Sequence, residues 1–302
     1  AQTCKCMGSK SYARRIRLAS AVKHGPPLIV SSPPLIETDL HALAYKRSAE
    51  LVAPRLAKNG FCICKGGVSG ETYHGAAQEA RSLYRKHQMQ RASFTRHGKA
   101  QKSKRDDSVL WLEDYMSKSS LPQQRAVRSL SKLDSVLSNF GRAVIDNLIV
   151  FQDAPMARTD NGHALFYTGC TDLMVTCYPG KQSAYGAHID NIDGDGRDGI
   201  DSGRCFTLVY YLNPCWSIKD GGALRLYLPT SGVDQRPLAV DVPPRGDLLV
   251  MFRADWVVHE VLPTDAHRFS VSMWFHAGTK QQQVREAERL RTASSVAAAC
   301  AK

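Results

Sequence analysis

The stretch His188-Ile189-Asp190 is followed, 69 residues after the Asp, by His259 in Val257-Val258-His259-Glu260-Val261. Two imidazoles and one carboxylate on one face of a sheet make the facial set that holds non-haem Fe(II) and leaves coordination positions open. If both runs are strands, His188 and Asp190 share a face, because strand side chains alternate with period two. Glu260, one residue on from His259, then points to the opposite face and does not ligate. Nine residues after His259 comes Arg268, in Ala266-His267-Arg268-Phe269-Ser270-Val271-Ser272. A buried arginine needs a partner, and its planar fork matches a carboxylate bidentately. Each feature alone has an ordinary reading, a surface His beside an Asp or a strand-edge Arg in an ion pair. Together, and in this order, they point to a metal site with an arginine suited to a carboxylate beside it.

Such a site needs a β framework, and the texture from Leu173 onward supplies one. Runs rich in Val, Leu, Tyr and Phe are separated by Gly, Pro, Asp and Asn turns. They predict strands at Leu173–Tyr178, Tyr185–Asp190, Cys205–Leu212, Ala223–Leu228, Leu238–Val242, Leu248–Phe252, Val257–Leu262 and Phe269–His276. Too few residues lie between them for crossover helices, so an antiparallel barrel or double-sheet jelly roll is expected. Upstream, the spacing predicts a helix from a Thr38 cap to the Asn59-Gly60 stop, a short strand Phe61–Cys64, and a helix from Ser69 to about Met89. A strand follows at Val109–Leu112. After Pro122 a long helix shows Val127, Leu130, Leu133, Leu137, Phe140, Val144 and Leu148 as one stripe to pack on a sheet. The expected class is α+β, mainly β. Residues 1–36 read as a basic, Pro-rich tail or linker, and residues 37–302 as one catalytic domain. Within it, 37–172 hold helices and a basic loop, 173–277 the jelly-roll core, and 278–302 a C-terminal surface helix.

The chain has 302 residues, 43% hydrophobic, with 40 Lys+Arg against 28 Asp+Glu, which excludes a disordered or fibrous protein. No run approaches the ~20 apolar residues of a membrane span, and the start lacks signal-peptide order, so a soluble intracellular protein without membrane contact is expected. Nine scattered Cys, with Cys177 and Cys205 inside predicted strands, argue against a disulfide framework. Cys4-Lys5-Cys6 and Cys62-Ile63-Cys64 are spaced too closely for zinc. Asp193, Asp195 and Asp201 resemble a calcium loop only faintly, since Arg197 and Asp198 interrupt the pattern.

Charge is uneven: residues 1–150 carry 25 Lys+Arg against 11 Asp+Glu, and residues 151–302 carry 15 against 17. Arg81 to Arg105 holds nine basic residues and no acidic one. Such a run attracts polyanions or an acidic peptide, or is simply a solvated loop.

The residues resemble the Fe(II)- and 2-oxoglutarate-dependent dioxygenases, and among them the prolyl 4-hydroxylases of the hypoxia-inducible-factor type. The likeness is carried by Cys177-Tyr178-Pro179-Gly180, Tyr185, His188-Ile189-Asp190-Asn191 and Gly194-Asp195-Gly196-Arg197. It continues through Arg204-Cys205, Tyr210-Tyr211-Leu212-Asn213, Trp216, Gly221 to Arg225, His259-Glu260-Val261, Pro263, Arg268 and Trp274-Phe275. Residues 1–36 carry none of it. Asp198 to Gly203 is an insertion, so either Arg197 or Arg204 takes the family's role. The resemblance implies His188, Asp190 and His259 as Fe(II) ligands, and Arg268, Tyr211 and Tyr178 as contacts of 2-oxoglutarate. It further implies O₂ as cosubstrate, ascorbate as reductant, succinate as coproduct, and hydroxylation at C4 of a proline in a protein substrate, in the cytoplasm or nucleus. Arg204, Trp111, Tyr185 and Trp274 are candidate substrate contacts, although aromatics in strands are commonly core. A nucleic-acid dioxygenase on the same barrel is the first alternative, but Phe94 is the single aromatic between Arg91 and Asp107, so stacking is thin. A non-catalytic jelly-roll binding protein is the second.

Overall fold

Alternation along the long strands decides which face meets which layer. The computed structural model describes residues 26–41, 44–92, 95–96, 99–100, 105–158, 162–191, 203–228, 237–278, 281–285 and 288. The strands are β1 (Leu28–Ile29), β2 (Ile36–Glu37), β3 (Phe61–Lys65), β4 (Gln90–Arg91), β5 (Thr95–Arg96), β6 (Lys99–Ala100), β7 (Ser108–Trp111) and β8 (Phe166–Cys170). There follow β9 (Met174–Pro179), β10 (Ser183–His188), β11 (Arg204–Tyr211), β12 (Leu224–Leu228), β13 (Leu238–Val242), β14 (Leu248–Arg253), β15 (His259–Thr264) and β16 (His267–Gly278). The helices are α1 (Tyr45–Asn59), α2 (Gly70–Arg85), α3 (Leu112–Ser117), α4 (Leu121–Arg125) and α5 (Arg128–Leu148).

Two sheets face each other. The major sheet runs β2-β3-β14-β11-β16-β9-β7-β4 with β8 also on β16, and the minor sheet runs β1-β13-β12-β15-β10. On β11, Phe206, Leu208 and Tyr210 join the core beneath the helices, whereas Val209 and Tyr211 join the core between the sheets. Strand β16 obeys the same rule: Phe269, Val271, Met273 and Phe275 pack toward the helices. Arg268, Ser270, Ser272 and Trp274 occupy the alternate positions. The helix-side core receives the α5 stripe of Leu130, Leu133, Leu137, Phe140, Val144 and Leu148, all fully buried. The major sheet is thus backed by helices and turns its polar residues to the interior of the jelly roll, the architecture expected from sequence.

Several local expectations change. Helix α1 starts at Tyr45, not at a Thr38 cap, because Thr38 and Leu40 continue the β2–β3 pairing, their N–H groups donating to Lys65 and Gly67 carbonyls. Tertiary strand pairing outweighs the local capping signal. Its stop at Gly60 is as expected, in the left-handed region at φ 75°. Helix α2 ends at Arg85 rather than Met89, since His87 turns the chain with φ 55° and Gln90–Arg91 then pairs with β7. Strand β8 was unanticipated; Gly169 interrupts its short run and all five residues are half-buried. The tail also differs from a free linker. Its prolines keep it extended, but Leu28–Ile29 lies parallel to β13 and Ile36–Glu37 lies parallel to β3. Residues 281–285 are helical, while most of the predicted C-terminal helix and the 198–202 insertion lie outside the described residues. Among the described residues no helix is long and apolar enough to cross a membrane.

Helix α5 meets β16 through a position with no spare room. A methyl placed on Gly141 would overlap the Phe275 ring. Gly141→Ala should therefore destabilise the protein by about 1–3 kcal/mol, despite the better helix propensity of Ala. Urea unfolding followed by circular dichroism measures this.

Candidate metal centre

Strands β10 and β15 pair antiparallel in the minor sheet, with His188 opposite His259. Both histidines therefore leave the sheet at one point, His188 as the last residue of its strand and His259 as the first of its own. Asp190 stands in the turn after β10, not within the strand as alternation had suggested. It nevertheless returns to the same point: its Oδ1 lies 3.4 Å from His188 Nε2 and 3.6 Å from His259 Nε2. One ligand atom from each of the three residues falls within 4.8 Å of the others, which suits a metal ion. Backbone carbonyls settle the ring orientations. His188 Nδ1 is 2.9 Å from the Gly186 oxygen and His259 Nδ1 is 3.1 Å from the Val257 oxygen. With Nδ1–H donating to those oxygens, each Nε2 keeps its lone pair for a cation. Burial, reinforced by the neighbouring His188, pushes His259 down to about 4, so its ring is neutral at physiological pH. Burial alone would raise the Asp190 carboxyl, but His259, His188 and the Thr207 hydroxyl together hold it well below the usual carboxylate range.

Asp190 is further held through its other oxygen. Oδ2 accepts the Thr207 hydroxyl at 2.6 Å and the Trp274 indole N–H at 2.9 Å. Trp274 in turn carries the Arg204 guanidinium 4.6 Å from its ring centroid and packs on Trp111 at 5.8 Å.

Across the interior, Arg268 is 3% exposed on the inner face of β16. Its Nε donates to the Gly222 carbonyl at 2.8 Å and its Nη1 reaches Ser270 Oγ at 3.3 Å. Gly222, at φ 72°, has to be glycine: a Cβ there would press on Thr264 and on the Arg268 chain itself. The guanidinium carbon lies 5.1 Å from each of the Tyr178 and Tyr211 rings. Among the described residues Arg268 has no carboxylate partner within ion-pair distance. Two hydroxyls on the same inner face, Tyr211 Oη beside the Arg268 guanidinium and Thr176 Oγ1, are also buried without a hydrogen-bond acceptor or donor among the described residues that meets normal geometry. Burial pushes Tyr211 up to about 12 against the opposing pull of Arg268, so it is a phenol and a donor. A buried cation beside unused hydroxyls fits one end of an anionic, oxygen-rich ligand.

Tyr185 stacks on His188 with centroids 3.8 Å apart, and Arg105 covers Tyr185 at 4.9 Å. Arg105 ends the basic run and forms a two-pronged ion pair with the fully buried Asp107, at 2.6 and 2.8 Å. The sequence reading missed this pair and Thr207. The Asp106-Asp107 pair that ends the basic run was the available sign for Asp107; Thr207 left none, being an unremarkable strand threonine. Arg197 and the acidic insertion lie outside the described residues.

The titration of His259 has a consequence for the metal-free protein. Its folded value is depressed from 6.5 to about 4, so the unfolded chain binds the proton more readily between those limits. Stability should be complete above pH 6.5 and fall by up to about 3 kcal/mol on acidification to about pH 4. Asp190, also depressed, contributes stability that is lost at still lower pH. Denaturant titrations in the presence of chelator should show that slope, and His259→Gln should flatten it.

A profile of the 2OG-Fe(II) oxygenase superfamily matches residues 173–276. Human Egl nine homolog 1 is 28% identical over 237 residues, covering 77% of this chain and 47% of that protein. The hypoxia-inducible factor prolyl hydroxylase of Caenorhabditis elegans is 28% identical over 246 residues, covering 77% of this chain and 29% of the worm protein. The chain spans about half the length of the curated relatives it matches. A solved prolyl hydroxylase from Trichoplax adhaerens, in complex with a hypoxia inducible factor oxygen degradation domain peptide fragment, superposes with a TM-score of 0.59 at 26% identity. That match covers 80% of this chain and 93% of the other. The stretch that matches the 2OG-Fe(II) oxygenase profile, residues 173–276, contains the His188, Asp190 and His259 cluster and Arg268.

Proposed function

We propose that this chain is an Fe(II)- and 2-oxoglutarate-dependent dioxygenase that hydroxylates a prolyl residue at C4 in a protein substrate, acting in oxygen sensing. The observation that carries the reading is Arg268, a buried guanidinium that has no carboxylate partner among the described residues and lies on the interior face shared with Tyr211. His188, Asp190 and His259 would hold Fe(II). With the metal, 2-oxoglutarate and O₂ bound, the site supplies oxidative decarboxylation to succinate and CO₂, one oxygen atom entering succinate and the other the prolyl C–H bond.

The chain's own residues position and shield. Arg268 would pair with the distal carboxylate of 2-oxoglutarate, and the Tyr211 phenol would donate to it. Tyr178, stacked on the same guanidinium, keeps water from its face. A neutral His259 and an ionised Asp190 present the charge a divalent cation needs without a proton to displace from His259. Tyr185, held between Arg105 and His188, and Arg204, lying on Trp274, would meet the substrate. Trp111 packs behind Trp274 and would act as support. The relatives named prolyl hydroxylases favour a protein substrate over nucleic acid. So does Arg105, whose charge is tied to Asp107 rather than left for a phosphate. Ascorbate would serve as the reductant, and the cytoplasm or nucleus is the expected setting. The catalytic unit would run from β1, not from residue 37, because β1 and β2 are part of the sheets.

Incubation with Fe(II), 2-oxoglutarate, air and a Leu-x-x-Leu-Ala-Pro peptide should add one oxygen to the proline and release succinate, both read by mass spectrometry. Arg268→Ala should raise the 2-oxoglutarate KM by about 10- to 100-fold, the loss of one or two charge-assisted hydrogen bonds. Absence of succinate from the wild-type chain under all these conditions would sink the assignment.

A further inference from the structure

We infer that Trp274 is a positioning residue for the metal centre, acting with Thr207 to keep Asp190 a one-oxygen ligand. The inference rests on reading His188, Asp190 and His259 as that centre. A carboxylate has about four lone-pair positions and is free to meet a cation through one oxygen or two. Here the two oxygens stand in different surroundings. Oδ2 receives two donors, Thr207 Oγ1 at 2.6 Å and Trp274 Nε1 at 2.9 Å, whereas Oδ1 faces both imidazole Nε2 atoms at 3.4 and 3.6 Å. A bidentate carboxylate would have to give up at least one of the Oδ2 bonds.

Asp190 lies beyond the end of β10, in a turn whose backbone is pinned next door by the Asn191 N–H donating to the Ala254 carbonyl, so the direction of its carboxylate is left to side-chain donors. The holders, by contrast, are rigid. Thr207 and Trp274 sit directly opposite each other on the central β11–β16 pair of the major sheet. They reach across the interior from one sheet to a ligand carried by the other. Trp274 is 8% exposed, and it is clamped by Arg204 at 4.6 Å and Trp111 at 5.8 Å from its ring. A cation over the indole face also draws density from the ring and sharpens the N–H as a donor. The aromatic that looked like a pocket wall thus turns its one polar atom to the metal ligand.

The test uses the full chain and Co(II) as the probe, read by its dissociation constant and its d–d absorption, with thermal unfolding of the metal-free protein alongside. Trp274→Phe keeps the ring and removes the donor; Thr207→Val keeps the shape and removes the hydroxyl; Thr207→Ser restores it. Each donor-deleting variant should weaken Co(II) about 10-fold or more and alter the absorption bands, and Thr207→Ser should return both to wild type. Wild-type Co(II) affinity and spectrum in both Trp274→Phe and Thr207→Val would overturn the inference, whatever happens to the melting temperature. Should Trp274→Phe fail to fold, the Thr207→Val and Thr207→Ser pair decides alone. Asp190→Ala separates the two levels: if it binds Co(II) like wild type, the centre itself is misread; if it loses Co(II) while the donor-deleting variants do not, only the role of Trp274 and Thr207 falls.

Discussion

The interior of the jelly roll contains a permanent positive charge, and much of the structure is arranged around that fact. Arg268 is removed from water at 3% exposure, a placement that would cost several kcal/mol if nothing compensated it. Partial compensation comes from the Gly222 carbonyl, the Ser270 hydroxyl and the faces of two tyrosines. None of these is an anion. The remaining deficit favours any anion that comes beside it. Gly222 shows how tightly this is arranged: its backbone oxygen takes the Arg268 N–H, and its missing side chain leaves room for the aliphatic stem of the same arginine.

The rigidity that maintains this arrangement comes from the helical side of the major sheet. Strand β16 alternates large apolar residues toward α5 with Arg268, Ser270, Ser272 and Trp274 toward the interior. Displacing the helix from the sheet would therefore move Arg268 and Trp274 together. The minor sheet contributes the two histidines, and among the described residues no helix packs broadly on it, so the centre joins a braced wall to a thinner one.

Much of this was legible in the residues. His188, Asp190, His259 and Arg268 were recognisable because their types are costly in strands unless used, and the apolar runs between turns located the eight long strands. Boundaries were harder where tertiary contacts overrode local signals. Thr38 has the chemistry of a helix cap but continues a parallel pairing instead, and His87 breaks α2 with a backbone conformation that no composition signal marks. Asp190 reaches the right place by a turn rather than by strand alternation. The Trp274–Asp190 bond was out of reach because it depends on a contact 84 residues apart in the chain. The basic run was legible as charge, but Asp107, a buried neutralising partner for Arg105, became evident only in three dimensions.

The short N-terminal strands have a practical meaning. Leu28–Ile29 closes one border of the minor sheet, and Ile36–Glu37 closes one border of the major sheet, so a single ten-residue ribbon hems both layers. A version trimmed to begin at the first helix would look economical, since it would keep every residue with a chemical task. It would also uncover β13 and β3 as bare edges offering unsatisfied backbone groups to any neighbouring chain, the usual seed of edge-to-edge association. Prolines 26 and 27 stand just before the ribbon, and prolines 33 and 34, unable to donate, separate its two short strands. The ribbon therefore works as a selvage, and the safe place to cut lies before it.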